Sequence, residues 1–303
     1  MPLITANGVA LRARILGPSA APALLMIQGL GMQLTDWPRA LLARLAERYR
    51  VVLYDNRDYG RSQLCGPAVD RSLRAADYPF EPVPPERAPY SLYDLAEDAR
   101  ALLDALEIEC AHVAGFSLGG MIAQVLAARH PHRVRSLTSL MSSMGQPVLP
   151  ASAPAAHLLA RMIVHVPDRA QLIAQSLAAQ RVWAGDAHGI DAAKSARHFD
   201  LNYRRCYRPA AIHRQAFAYA SAGERSGLLR TIRCPILVVH GEHDPLIPPA
   251  YAMEARHLLP QSRLLLLPDG AHDLHPALLP RLAAAMLDHF ERVDAATPLA
   301  HLA

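Results

Sequence analysis

The sequence predicts an α/β fold: a mostly parallel central sheet flanked on both faces by helices. Three observations predict it. Short runs rich in Val, Leu and Ile recur along the chain, as strands buried on both faces require. Between them lie segments with apolar residues at helical spacing, long enough to cross back over a sheet. The stretch HVAGFSLGGMIAQVLA, residues 112–127, passes from the first kind of pattern to the second at a single residue, Ser117.

The elements follow in order. Ile4 to Leu16 alternates around Asn7-Gly8, a two-residue hairpin signal. Next come a strand in ALLMIQ (23–28), a helix near Trp37 to Tyr49, a strand in VVLYD (51–55) and a helix from Ser91 to Leu106, where Ser91 and Asp94 make a capping box. Cys110 to Phe116 reads as a strand, followed by the helix that carries Met121, Val125 and Leu126, then a strand near Val134 to Met141. The last third contains PILVVHGEHD (235–244), a helix after Pro249, RLLLLPDGAHD (263–273) and a helix from Pro276 to Phe290. Two segments break the rhythm. Gln63 to Pro89 is rich in Pro, Arg and Asp and reads as a long surface loop. Gln146 to Arg230 has no strand-like run but contains HLLARMIVHV and QLIAQSLAAQRVW, so it reads as a helical insertion. The expected division is a core of residues 1–145 and 231–303, with 146–230 as a cap over the carboxyl edge of the sheet.

With 303 residues the chain can bury a large core as one decorated domain. Its net charge is +4, but the basic residues are scattered among acids, which argues against nucleic-acid and membrane partners. The longest stretch without formal charge, Ser136 to Ala160, carries Pro147, Pro150 and Pro154 and is not a membrane span. Four cysteines without a CxxC pair, and no secretory leader pattern before Asn7, predict a soluble, cytoplasmic protein.

Gly115-Phe116-Ser117-Leu118-Gly119 fits G-x-S-x-G, a sharp strand-to-helix turn that exposes a serine hydroxyl. Three fixed residues recur by chance in about one chain of this length in ten. The strand before Ser117 and the helix after it are therefore what gives the motif weight. A serine hydroxyl is a weak nucleophile at neutral pH and needs a base that a third group orients. His272, in the Gly270-Ala271-His272 loop after an apolar strand, is the candidate base; Asp244, after VVHGEH, is the candidate acid. Both fall at the carboxyl edge of a parallel sheet, where ligands bind. Asp244 also fits a plain turn aspartate before Pro245, and His240, His243 and Asp244 fit metal ligands, although no second cluster at ligand spacing accompanies them. An oxyanion needs N–H donors: Leu118 N–H supplies one, and the turn Gln28-Gly29-Leu30-Gly31 supplies the other, from Leu30 or failing that Gly31. No cofactor and no metal is expected.

The chain resembles the α/β-hydrolase superfamily, and within it the aclacinomycin methylesterase group of serine esterases. The residues that carry the resemblance are QGLG (28–31), YDNRDYGRS (54–62), GFSLGG (115–120), GEHDPLIP (241–248) and PDGAHD (268–273), in the family order. The resemblance implies an α/β-hydrolase fold with a helical cap. It makes Ser117 the nucleophile, Asp244 the acid and His272 the base, with Leu30 and Leu118 forming the oxyanion hole. Asp55, Arg57 and Asp58 would tie a loop structurally. Gln28 stands where many relatives have histidine. The function so implied is hydrolysis of a carboxylic ester through an acyl-enzyme, on a small or medium acyl ester or a methyl ester. Lactonase, carbon–carbon bond hydrolase and cofactor-free haloperoxidase use the same triad, and a non-catalytic small-ligand-binding protein shares the fold. The elbow lacks the tryptophan of proline iminopeptidases. The expected partner is a small-molecule ester, and a homodimer is left open.

Overall fold

The computed structural model describes residues 1–66, 83–146, 152–164 and 168–296. Most of the expected 63–89 loop, and residues 147–151 and 165–167 of the expected insertion, lie outside the described residues. The strands are β1 (Leu3–Ala6), β2 (Val9–Leu16), β3 (Ala23–Ile27), β4 (Arg50–Tyr54), β5 (Ala111–Phe116), β6 (Val134–Leu140), β7 (Ile236–Gly241) and β8 (Ser262–Leu267). Their order in the sheet is β1-β2-β4-β3-β5-β6-β7-β8. β1 pairs antiparallel with β2, and β2 antiparallel with β4; every later pairing is parallel. The hairpin turns where expected, with Asn7 and Gly8 both at positive φ (49° and 72°), as a type I′ turn demands.

The helices are α1 (Arg39–Ala46), α2 (Leu92–Ala105), α3 (Leu118–Arg129), α4 (Ala153–Val164), α5 (Arg169–Ala184), α6 (Ala192–Cys206), α7 (Pro209–Ala220), α8 (Ser226–Leu229), α9 (Pro249–Leu258) and α10 (Leu279–Ala296). The capping box that predicts α2 is formed: Asp94 N–H donates to Ser91 Oγ and Ser91 N–H donates to Asp94 Oδ2. Two boundaries differ from expectation. Pro38 caps α1 in an extended conformation, so the helix starts at Arg39 rather than Trp37. Pro276 to Leu278 forms a 3₁₀ turn, and the last α-helix begins only at Leu279.

The period of two along each strand divides the core between the two faces of the sheet. Leu25, Ile27, Val113, Leu137 and Val238 pack with residues of α2, α3 and α9. Leu24, Met26, Ala114, Leu237 and Val239 pack on the opposite face with α1 and α10. Each fully buried Val, Leu, Ile or Met among them contributes about 1.5–3 kcal/mol of transfer free energy. Near the amino ends of the strands, a polar cluster pins the C-terminal helix. His112 bonds Ser136 Oγ through Nδ1 (2.7 Å) and Asp294 Oδ1 through Nε2 (3.1 Å). Asp294 also accepts from Arg135 and from Tyr49 Oη. The three elements β5, β6 and α10 are thereby stapled together. No described helix is long and apolar enough to cross a membrane, and the four cysteines are unpaired.

Candidate active site

β3 continues to β4 on one side and β5 to β6 on the other, so the connections after these two adjacent strands run in opposite directions at a topological switch point, where open α/β sheets bind ligands. Ser117 follows β5 directly, and the turn Gln28 to Gly31 follows β3. Asp244 and His272 come from the loops after β7 and β8 at the same edge.

Ser117 sits at φ 54°, ψ −119°, a conformation costly for any residue with a side chain. Four hydrogen bonds hold it there: Ser117 N–H donates to Leu140 O (2.8 Å), and Ser117 O accepts from Gly120 N–H, Met121 N–H and Ser142 Oγ. The flanking glycines have a steric reason. A Cβ on Gly115 would overlap the Gly119 carbonyl, and one on Gly119 would overlap the Ile27 carbonyl. The helix start therefore lies directly against the end of the central strand, and only hydrogen fits between them.

The three polar residues singled out in the sequence meet here. His272 Nε2 is 3.1 Å from Ser117 Oγ, and His272 Nδ1 is 2.7 Å from Asp244 Oδ2. Asp244 is itself fixed: its Oδ1 accepts from Leu246 N–H (2.9 Å) and Ile247 N–H (2.8 Å). Burial alone would raise its pKa, but the charge of His272 and the hydrogen bonds from His240 and His272 outweigh it and hold the carboxyl well below the usual range. His240, one of the alternative metal ligands, turns its Nε2 to the Ile247 carbonyl (2.8 Å) with Asp244 Oδ2 at 3.3 Å. Asp244, His240 and the 246–247 backbone thus make one closed hydrogen-bonded unit beneath the imidazole.

Asp273, next in the chain, behaves oppositely. Burial and the nearby charge of Asp244 push its pKa up to about 7, against partial compensation from His272. Between the ordinary aspartate value of about 4 and 7, the unfolded chain has lost a proton that the folded chain keeps, so this group makes stability fall as pH rises through that window. Asp273→Asn is expected to melt like the parent at pH 4 and roughly 2–4 °C above it at pH 8. Thermal melting across pH measures this, and a lower melting temperature at pH 8 would show that the charged carboxylate is instead a stabilising partner.

The oxyanion candidates are distinguishable. Neither Leu30 N–H nor Leu118 N–H donates to another described residue, whereas Gly31 N–H is engaged by Gln215 Oε1 (3.1 Å). Of the two sequence candidates in the turn, Leu30 is therefore the one with a donor to offer. The Gln28 side chain is fully buried, and neither of its polar atoms has a partner among the described residues. Asn56 Nδ2 donates to the Gln28 carbonyl (3.2 Å), so the backbone of this turn is tied despite the absence of histidine.

Helices α4 to α7 lie between β6 and β7 in sequence and touch this edge at defined points. His272 N–H donates to the carbonyl of Trp183 in α5 (2.8 Å). Arg205 bonds Gln33 Oε1 and Asp55 Oδ2 (2.5 and 2.7 Å), and Arg214 grips both oxygens of Asp58 (2.5 and 2.7 Å). Arg208 Nη1 donates to Ser62 O (2.6 Å). Asp55 accepts from Arg61 N–H in its own loop and from Leu34 N–H in the segment after β3, and Asp58 accepts from Cys65 N–H. Arg57 turns away to a buried bidentate pair with Asp98. The DxRDxGxS run is thus a structural hub, with α6 and α7 fastened to it. Sequence reasoning missed Arg205, Arg208, Arg214 and Gln215. The only signal available was the concentration of arginines in Asn202 to Tyr219, which shows no period that would single out partners.

The sequence matches the family described as alpha/beta hydrolase fold over residues 22–276. It is 27% identical to rhodomycin D methylesterase DnrP of Streptomyces peucetius, over 95% of this chain and 97% of that protein. It is 31% identical to the pimeloyl-[acyl-carrier protein] methyl ester esterase of Aeromonas hydrophila, over 83% of this chain and 88% of that one. Among solved structures it is similar to a meta-cleavage product hydrolase from Pseudomonas fluorescens, with a TM-score of 0.73, 19% identity and coverage of 96% and 98%.

Proposed function

We propose, from the premise that this chain belongs to the α/β-hydrolase fold family and is a carboxylic-ester hydrolase, that it cleaves a methyl ester of an apolar acid, or an ester with a small or medium acyl group, through an acyl-enzyme on Ser117. The carrying observation is the continuous chain of hydrogen bonds Ser117 Oγ–His272 Nε2 (3.1 Å) and His272 Nδ1–Asp244 Oδ2 (2.7 Å), on a serine raised at a strained corner. His272 Nε2 accepts the Ser117 proton as Oγ attacks the ester carbonyl, and Asp244 steadies the imidazolium. Leu118 and Leu30 N–H groups hold the oxyanion, helped by the positive end of α3. Collapse of the tetrahedral intermediate expels the alcohol, which takes the proton from His272; water, deprotonated by the same nitrogen, then releases the acid and frees Ser117. The names of the two methylesterase relatives support a methyl ester as the substrate class.

The reading is tested by a panel of methyl esters, p-nitrophenyl esters and lactones, with hydroxylamine trapping of the acyl group on Ser117. Turnover of lactones alone would overturn the ester assignment. Failure of Ser117 to react with a fluorophosphonate would overturn the nucleophile.

The second part of the proposal is that residues 146–230 act as a cap that selects the acyl group. The Trp183 carbonyl on the backbone of His272 supports it, because it seats α5 beside the base. Trp183→Ala keeps that backbone contact and removes the indole. The ratio of turnover on a hexanoyl ester to that on an acetyl ester is expected to change about tenfold, the scale of one or two methylenes in an apolar pocket. Steady-state kinetics over the acyl series gives the ratio; an unchanged profile would place selection elsewhere.

A further inference from the structure

The turn after β3 is built as a four-residue turn from Gly29 to Met32. Met32 N–H donates to Gly29 O (3.3 Å), and Gly31, at its third position, has φ +64°, as a type II turn requires. The central peptide of such a turn, Leu30 to Gly31, is the unit that flips between turn types, and flipping it reverses both the Gly31 N–H and the Leu30 carbonyl dipole. One side chain holds that peptide: Gln215 Oε1 accepts the Gly31 N–H (3.1 Å), while Gln215 Nε2 reaches the Arg57 carbonyl (3.3 Å). Gln215 is fully buried on α7. One turn of helix earlier, Ile212 packs where a Cβ on Gly31 would go, at 3.1–3.4 Å. α7 is in turn fastened to Asp58 by Arg214. A buried amide with both ends bonded to backbone is a rigid positioning device.

We propose that Gln215 is a positioning residue for the oxyanion hole, through which helix α7 fixes the Leu30–Gly31 peptide beside Ser117. The proposal rests on the acyl-enzyme reading given above. It makes the oxyanion site a joint product of β3 and α7, so the hole is set before any ester arrives. Gly29 O faces Met32 N–H, and in a trans peptide the Leu30 N–H points the opposite way. With the next peptide clamped by Gln215, the Leu30 φ and ψ are both determined.

The test uses Gln215→Met, which keeps volume but neither accepts nor donates, and Gln215→Glu, which when protonated can accept from Gly31 N–H and donate to the Arg57 carbonyl. Wild-type ester turnover and fluorophosphonate labelling of Ser117 come first; their failure would sink the acyl-enzyme reading itself, independently of Gln215. Given wild-type turnover, Gln215→Met is expected to lose roughly 10- to 100-fold in kcat with KM within twofold, less than the 10²–10³ seen when an oxyanion donor is deleted. Affinity for a trifluoromethyl ketone, which forms a hemiketal on Ser117, should fall in parallel. Gln215→Glu should recover kcat to within about threefold of wild type on the acid side of its profile. Should Gln215→Met not melt cooperatively, Gln215→Glu assayed across pH carries the test alone, since loss of kcat as its carboxyl ionises reads the lost Arg57 bond. An unchanged kcat in Gln215→Met, a rise in KM alone, or a flat pH response in Gln215→Glu where it alone carries the test would overturn the proposal.

Discussion

Ser117→Ala is expected to lower ester turnover by about 10³-fold or more while leaving the melting temperature close to that of the parent. The change removes one oxygen at a half-buried corner whose shape is held by backbone, not by the hydroxyl: Leu140 O, Gly120 N–H, Met121 N–H and Ser142 Oγ all bond the Ser117 main chain. Alanine there keeps the same strained φ and ψ. What disappears is the proposed attacking atom and the 3.1 Å bond to His272 Nε2. Residual activity within tenfold of wild type, with unchanged melting, would remove Ser117 from the mechanism. Initial rates on a p-nitrophenyl ester and a melting curve suffice.

Asp244→Asn is expected to cost about 10³- to 10⁴-fold in kcat, on the scale seen when the corresponding change is made in serine-protease triads. The direction follows from the local bonds. The Leu246 and Ile247 N–H groups both donate to Oδ1, so an asparagine must place its oxygen there and turn its NH₂ toward His272. A donor facing Nδ1 makes that nitrogen an acceptor and moves the ring proton to Nε2, where it points at Ser117 Oγ. The base then holds the proton it should be taking. Labelling of Ser117 by a fluorophosphonate should slow in step with kcat, whereas His272→Gln, which removes the base outright, should not be further slowed by adding Asp244→Asn. Independent, multiplying losses in the double variant would mean that Asp244 acts through something other than His272.

The parallel strands and their helices were legible because each is a local statement. ALLMI, VVLY and ILVVHG can be buried on both faces only as inner strands, and a capping box or an Asn-Gly turn is complete within four residues. The corner was legible for the same reason, since Gly115, Ser117 and Gly119 lie within one strand-to-helix turn. Asp244 and His272 were reachable because both follow strands, and strand ends share one edge. Long-range polar pairing was not legible. Nothing in Arg205, Arg214 or Gln215 announces Asp55, Asp58 or Gly31, because those contacts join residues about 150 to 184 positions apart, and helix propensity is indifferent to which way an arginine reaches. Similarly, the two helix starts displaced by Pro38 and Pro276 turn on backbone geometry that an apolar pattern does not encode.

The cluster of His112, Ser136 and Asp294 at the far end of the strands has a bearing on how such sites are searched for. A template that asks only for serine, imidazole and carboxylate within bonding distance would score this chain twice, since Ser136 Oγ lies 2.7 Å from one imidazole nitrogen and Asp294 Oδ1 lies 3.1 Å from the other. Yet Ser136 is wholly enclosed near the start of β6, beside a register shift between β5 and β6. The N–H of the next residue, Leu137, is taken by the Pro235 carbonyl (3.0 Å) and cannot stabilise a negative oxygen. Two arrays of the same three residue types, one at each end of a single sheet, act as internal controls for each other. What separates the two serines is their setting: a half-buried corner with unspent donors at one end, a fully enclosed strand position at the other. A search for hydrolases by side-chain geometry gains its discrimination from main-chain dihedrals and free amides, and fluorophosphonate labelling of this protein should mark one serine of the two.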